Sequence, residues 1–288
     1  MPTKVEKDRI TGQETTGHEW DGIKELNTPL PKWWVYVFYT TIIFSVVYMV
    51  LYPAIPTLSG YTKGLLGWER RAELKDTLAD AKAAQQEYVE AINATELSRI
   101  AKDNDLLNFA MAGGQAAFAD NCAPCHGQGG AGRPGGYPTL ADDAWLWGGS
   151  IDQIHHTIQY GVRNDHEQSR TSMMPAFGGM LDRDQIGEVA SYVLSLSGKA
   201  EDPDAAEKGK AIFTQNCVAC HGPNGKGNEA LGAPNLTDAI WLYGDEKTEI
   251  MAQIQSPQHG KMPAWGARLD PETVKMLAVY VHTLGGGE

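Results

Sequence analysis

The chain has 288 residues with 36 acidic and 24 basic side chains, so its formal net charge is −12. This length fits about two domains of ordinary size. The acidic balance argues against nucleic-acid binding, which depends on clustered Lys and Arg, and four cysteines are too few for a disulfide scaffold of this size. The mean hydropathy of −0.34 is typical of a soluble protein, but it averages over one segment of opposite character.

An apolar segment follows a polar N-terminal tail. Residues 1–31 have balanced charges and turn-forming Gly, Pro and Asn, which predicts a loosely ordered tail. Trp33–Ile55 then reads WWVYVFYTTIIFSVVYMVLYPAI, 23 residues without a charge. About 20 apolar residues in a helix cross the hydrocarbon core of a bilayer. We therefore predict a single transmembrane anchor helix over residues 32–56.

A buried core helix and a cleaved signal peptide are the alternative interpretations of this segment. The length and the unbroken lack of charge favour a membrane span over a core helix. A signal peptide fits less well, because the run is too long, begins only after Lys32 and lacks a small-residue cleavage site. The flanking charges do not establish the orientation, since the positive-inside count is slightly higher on the C-terminal side.

Residues 57–107 are predicted to form a helical linker. Trp68–Asp103 is rich in Ala, Glu, Lys, Gln and Leu and contains neither Gly nor Pro, a composition that favours helix. A solvated spacer and a contact with a partner are both open interpretations of this segment.

The remainder of the chain occurs twice. GQAAFADNCAPCHG from residue 114 matches GKAIFTQNCVACHG from residue 209 at 8 of 14 positions. PTLADDAWLWG from residue 138 matches PNLTDAIWLYG from residue 234 at 6 of 11, and MPAFGGMLD from residue 174 matches MPAWGARLD from residue 262 at 6 of 9. Each copy closes with an apolar-periodic helix. Three matched blocks in order indicate a duplicated domain, which we place at residues 108–199 and 200–288.

Each copy carries the pattern Cys-x-x-Cys-His. The residues are Cys122, Cys125 and His126 in the first copy and Cys217, Cys220 and His221 in the second. Two cysteines at this spacing can each form a thioether with a haem vinyl group while the adjacent histidine binds the iron, which is the pattern of c-type haem attachment. A dithiol redox pair or a zinc site is the alternative, but zinc would require the two motifs to meet in space. Because each motif lies in its own repeat, we predict two haem c groups, each serving its own domain.

The distal iron ligands are predicted from the repeat. Met174 and Met262 open the matched Met-Pro-Ala blocks, and methionine raises the reduction potential relative to a second histidine. Packing in a core is the alternative role for a methionine, and neither Met173 nor Met180 has a methionine counterpart in the second repeat. The rival ligands are histidines without a histidine counterpart: His155, His156, His166, His259 and His282.

Arginines of the first repeat are candidate partners for haem propionates. They are Arg133, Arg163 and Arg170, and a solvated surface role is equally open for them. Haem c is attached outside the cytoplasm, on the periplasmic side in bacteria. Both motifs follow the anchor, so we expect residues 57–288 in the periplasm and residues 1–32 in the cytoplasm, against the slight charge bias.

Taken together, the chain resembles the dihaem subunit III of cbb-type haem–copper cytochrome c oxidases. The resemblance covers nearly the whole chain, and its most specific part is HEWDGIKELNTPLPKWW from residue 18. It continues through the aromatic anchor that ends LYPAIP at Pro56, and through YGVR from Tyr160 and MPAFG from Met174. It implies a mainly α protein in which one N-terminal transmembrane helix precedes two tandem class I cytochrome c domains.

The resemblance also implies the function and the partners. Electrons from a soluble cytochrome c donor would pass to a monohaem subunit and then to a catalytic subunit that reduces oxygen and pumps protons, in the inner membrane. By position, Cys122, Cys125, Cys217 and Cys220 would hold the two haems, and His126, Met174, His221 and Met262 would bind the irons.

No base–nucleophile constellation occurs in the sequence, so we expect an electron-transfer subunit without a catalytic centre of its own. The main alternative is a membrane-anchored dihaem cytochrome that serves another respiratory oxidoreductase. A haem-based ligand sensor and a haem-free zinc module are further alternatives.

Overall fold

The computed structural model describes residues 4–199, 201–285 and 287, and it is mainly helical, as the sequence predicts. Two compact units are present, Met1–Ala84 and Gln85–Glu288. The strands are β1 (Thr15–Trp20), β2 (Ile23–Leu26), β3 (Pro56–Thr57) and β4 (Gly60–Tyr61). The helices are α1 (Lys32–Leu51), α2 (Arg70–Ala94), α3 (Leu97–Ile100), α4 (Asn104–Asn121), α5 (Ala123–His126), α6 (Ile151–Tyr160), α7 (Arg183–Leu196), α8 (Pro203–Asn216), α9 (Val218–His221), α10 (Lys247–Gln255) and α11 (Pro271–His282).

The N-terminal segment forms a β-hairpin where the sequence predicts a loosely ordered tail. Strands β1 and β2 pair antiparallel, with Trp20 opposite Ile23. Asp21 and Gly22 make the two-residue turn between them, with φ angles of 50° and 87°. Asp-Gly is well suited to such a turn, because both of its central residues need positive φ. The local turn signal therefore outweighs the polar composition on which the tail prediction rested.

Helix α1 has the properties of a membrane span. An 18-residue window of this helix has a mean hydropathy of 1.9, and none of its 20 residues is buried. At about 1.5 Å per residue the helix extends about 30 Å. The hydroxyls of Thr40, Thr41 and Ser45 donate to carbonyls of their own helix at 2.9, 2.7 and 2.8 Å, so they need no water. Exposure along the whole apolar helix contradicts the core-helix alternative. Among the described residues, no other helix meets the length and hydropathy of a membrane span.

The second unit contains two hydrophobic cores. The first gathers side chains from the end of α2, from α3, α4 and α6, and from α11. The second gathers side chains from α7, α8 and α10. Helix α4, at the start of the first repeat, thus packs against α11, at the end of the second, whereas α7 packs against α8 across the repeat boundary.

Two glycine–aromatic crossings hold these helix pairs together. In the first, Gly114 of α4 lies against α11, and Phe118 contacts Tyr280 with ring centroids 5.4 Å apart. In the second, Gly209 of α8 lies against the backbone of α7, and Phe213 contacts Tyr192 at 5.1 Å. The crossings are equivalent by repeat position, but each joins helices from different repeats.

The two repeats therefore exchange their C-terminal parts. Residues 161–173 lead from α6 of the first core to the second, and residues 256–261 lead from α10 back to the first. Val162 pairs with Met262 through two backbone hydrogen bonds of 3.0 and 2.9 Å, which join the end of α6 to the returning segment. One continuous segment from Met174 to Gln255 builds the second core, while the first is built from residues on both sides of that segment.

Lys275 fixes the end of the linker helix to the first core. Its ammonium group on α11 donates to the carbonyls of Ile92, Asn93 and Thr95 at 3.0, 2.9 and 2.8 Å. These carbonyls lie at the C-terminus of α2, where helical carbonyls lack intrahelical partners and a cation is favourable. Ile92 is fully buried beside them. The last turn of α2 is therefore part of the folded second unit.

Candidate functional site

The first Cys-x-x-Cys-His motif forms a tight turn after α4. Cys122 is buried in the first core, Cys125 is exposed, and the amide of His126 donates to the Cys122 carbonyl at 2.9 Å. Nδ1 of His126 lies 3.1 Å from the carbonyl oxygen of Pro138. Because a carbonyl can only accept, Nδ1 carries the proton and Nε2 keeps its lone pair. This is the tautomer that a histidine needs in order to bind a metal through Nε2.

The second motif repeats this geometry. The His221 amide donates to the Cys217 carbonyl at 2.9 Å, and Nδ1 of His221 lies 3.1 Å from the Pro234 carbonyl. Burial lowers the pKa of His221, as it lowers that of His126. Both rings are therefore favoured in the neutral form that iron ligation requires.

The cysteines occupy two separate cores, which argues against a shared zinc site. Cys122 belongs to the first core and Cys217 packs on the second. Burial raises the pKa of each of these two thiols to about 11. A reactive dithiol requires a lowered pKa instead.

Each candidate distal methionine packs on the core that holds the Cys-x-x-Cys-His motif of the other repeat. Met262, from the second repeat, packs on the core that holds Cys122. Met174, from the first repeat, packs on the core that holds Cys217. Both are half-buried, whereas the neighbouring Met173 is 62% exposed. The structure thus brings each Cys-x-x-Cys-His motif together with the methionine of the other repeat.

The rival histidines have other surroundings. The His156 ring contacts Tyr160, and Tyr160 in turn contacts His166, with ring centroids 4.7 and 4.9 Å apart. Nε2 of His259 lies 3.2 Å from the carbonyl oxygen of Met174, so this ring contacts the methionine segment through its backbone. Burial lowers the pKa of His155, and Lys275 adds to this effect.

Two features show that the residues fit a haem group. The first is the pair of histidines with Nε2 left free by a backbone carbonyl at Nδ1. The second is Trp241 on the second core, whose buried indole Nε1 has no partner among the described residues. A buried N–H donor without an acceptor is costly, and a haem propionate is an acceptor of suitable charge.

Sequence reasoning missed the carbonyls of Pro138 and Pro234. A signal was present, because each proline opens the second matched block of its repeat. Only the fold shows that the backbone at these two positions orients the histidine of the preceding motif.

Comparison with known proteins defines the family. The model of the N-terminal domain of cytochrome oxidase-cbb3, FixP, matches residues 12–59. The model of cytochrome c oxidase, cbb3-type, subunit III, matches residues 109–193 and 204–281, more than half of the chain. The chain belongs to the subunit III family of cbb3-type cytochrome c oxidases.

Relatives in this family match along the full length. The cbb3-type cytochrome c oxidase subunit CcoP of Azospirillum brasilense is 54% identical over 292 residues, covering 98% of this chain and 99% of the relative. Subunit FixP of Bradyrhizobium diazoefficiens is 52% identical with both chains covered to 100%. Subunit FixP of Rhizobium meliloti is 49% identical, covering 98% and 97%.

Membership of the cbb3 subunit III family confirms the predicted fold class and cofactors. The described residues contain one candidate membrane-spanning helix. The two tandem cytochrome c domains indicate two haem c groups and an electron-transfer function. The repeat boundaries at residues 108–199 and 200–288 remain predictions, and the packing shows that each core draws helices from both segments.

Proposed function

We propose that the chain is the dihaem electron-transfer subunit of a cbb-type oxidase and relays electrons from a soluble cytochrome c toward the monohaem and catalytic subunits. The observation that carries the proposal is the pair of equivalent Cys-x-x-Cys-His sites, each with a carbonyl-oriented histidine and a methionine on the same core. When bound, haem c supplies reversible one-electron chemistry at iron.

The residues divide into two sets under this proposal. Cys122 and Cys125 would hold one haem, and His126 and Met262 would bind its iron. The second set consists of Cys217, Cys220, His221 and Met174. Thioether bonds from the cysteines would fix each haem to its helix turn, and the half-buried methionines would exclude water from the iron.

Purification tests the proposed function. In mild detergent, we expect the full chain to carry a c-type absorption spectrum with two haems and to copurify with a haem–copper catalytic subunit and a monohaem subunit. Reduced soluble cytochrome c should reduce its haems. Copurification with a dehydrogenase or another reductase, without a haem–copper subunit, would instead establish the alternative of a dihaem cytochrome in a different complex.

The anchor and the haem sites together support a topology. We assign residues 1–31 to the cytoplasm and both cytochrome c domains to the periplasmic side of a bacterial inner membrane, because thioether attachment takes place there and both motifs follow α1. The flanking charges favour the opposite orientation only slightly.

Reporter fusions test this topology. A reporter that is active only after export, fused after Glu288, should be active, and the same reporter fused before Lys32 should be inactive. A cytoplasm-dependent reporter at the same two positions should give the reverse pattern. Cytoplasmic activity after Glu288 contradicts the assignment, and the paired reporters separate this outcome from poor expression.

A further inference from the structure

Three side chains meet between the two cores. The indole of Trp147 is 8% exposed, and the guanidinium groups of Arg163 and Arg170 lie over its ring, 5.7 and 5.4 Å from the centroid. A side chain on Gly232 would overlap the same indole, so Trp147 also lies against the loop that leads to Pro234 of the second site. We call Trp147, Arg163 and Arg170 the arginine junction.

Arg163 connects the segments that carry both distal methionines. Its Nε donates to the Ser172 carbonyl at 2.9 Å, two residues before Met174. Its Nη1 donates to the Gly260 carbonyl at 3.2 Å, two residues before Met262. Its backbone has a φ of 52°, which is costly for a non-glycine residue and persists only where the surroundings impose it. The junction therefore lies next to both candidate haem sites.

Arg170 lies in a connection that is longer in the first repeat than in the second. The first repeat has eight more residues than the second between its Trp-Leu-aromatic-Gly block and its Met-Pro-Ala block, and Arg170 lies in this longer connection. Its Nε donates to Thr157 Oγ1 at 3.0 Å, which holds the guanidinium beside α6.

The two guanidinium groups lack anionic partners. Both side chains are half-buried, and burial lowers the pKa of each arginine. Among the described residues, no carboxylate lies within ion-pair distance of either one. Partly desolvated cations whose hydrogen bonds go to carbonyls and a hydroxyl, and which lie over an indole face, are incompletely compensated. Guanidinium groups bind carboxylates in a forked geometry, and each haem c carries two propionate carboxylates.

We propose that Arg163 and Arg170 bind haem propionates at the arginine junction and thereby raise the reduction potential of the haem they contact. A fixed positive charge beside the propionates favours the ferrous state, which carries one positive charge less than the ferric state. Because Arg170 has no counterpart in the second repeat, the junction also makes the two haems electrostatically unequal.

Arg170→Gln in the purified full-length protein tests the proposal. We expect two covalently attached haems, a downward shift in the midpoint potential of at least one of them in a spectroelectrochemical titration, and a shift of the propionate carboxylate bands in redox-difference infrared spectra. Arg170→Lys keeps the charge and should recover most of the potential. The matched control is Arg183→Gln, which removes an exposed charge from α7 and should leave both readouts unchanged.

The proposal is overturned if both haems stay attached and the Arg170→Gln protein matches the Arg183→Gln protein in potentials and carboxylate bands. If the Arg170→Gln protein does not fold, redox-difference infrared spectra of the wild-type protein with isotope-labelled arginine guanidinium groups provide the test. The proposal requires arginine bands that shift when the haems are reduced, and arginine bands that do not shift overturn it. The inference rests on the proposed haem sites. A protein without a c-type spectrum contradicts those sites, whereas unchanged potentials with both haems present contradict the junction alone.

Discussion

Met262→Ala is expected to lower the potential of the haem on the first motif, not that of the haem on its own repeat. Met262 packs on the core that holds Cys122, and Met174 packs on the core that holds Cys217. Loss of a thioether ligand favours ferric iron. We expect a fall on the order of a few tenths of a volt, within the range of about 0.8 V that axial ligands span, together with loss of the sulfur-to-iron charge-transfer band of one haem.

A single-haem background identifies the affected site. With Cys217→Ser and Cys220→Ser combined, only the haem on the first motif remains. In that background Met262→Ala should change its spectrum and potential, and Met174→Ala should not. Met173→Ala is the matched control, since this neighbouring side chain is 62% exposed and should have no effect. A change on Met174→Ala in this background would contradict the crossed ligands and support ligation within each repeat.

Gly209→Ala should destabilise the second unit through the crossing of α7 and α8. A Cβ at this position would overlap the backbone carbonyl of Glu188, which cannot move away as a flexible side chain can. Overpacking of this kind costs about 1–3 kcal/mol, which exceeds the gain in helix propensity of at most about 1 kcal/mol. Thermal unfolding followed by circular dichroism in the haem Soret region measures the effect.

Gly187→Ala is the control for this prediction. Gly187 lies on the neighbouring helix α7, and a Cβ there would meet only Met251 Cε at an ordinary 3.7 Å. Only the propensity effect remains, so stability should be unchanged or higher by up to about 1 kcal/mol. Equal destabilisation by Gly187→Ala and Gly209→Ala would show that the close approach of Gly209 to α7 is not the cause of the lost stability.

The local features of this protein could be predicted from its sequence. The apolar run from Trp33 predicts α1, and the helix ends at Leu51 because Tyr52, which precedes Pro53, is extended. The Cys-x-x-Cys-His motifs give the chemistry because thioether attachment needs a fixed short spacing. The hairpin over residues 15–26 was missed, since its Asp-Gly turn is only two residues long and its strands lack a clear apolar alternation.

The pairing of the proposed ligands depends on the tertiary structure. The two cysteines and the Met-Pro-Ala block of each repeat are visible in the sequence, and they predict which residue types bind haem. They do not show which Met-Pro-Ala block packs beside which Cys-x-x-Cys-His motif, because the two copies of each block have similar sequences. That choice depends on the connections after α6 and α10, where Val162 pairs with Met262 and the chain passes from one core to the other. The sequence by itself therefore predicts the anchor helix, the two Cys-x-x-Cys-His motifs and the residue types proposed as ligands, whereas the tertiary structure decided that each core is assembled from both repeats.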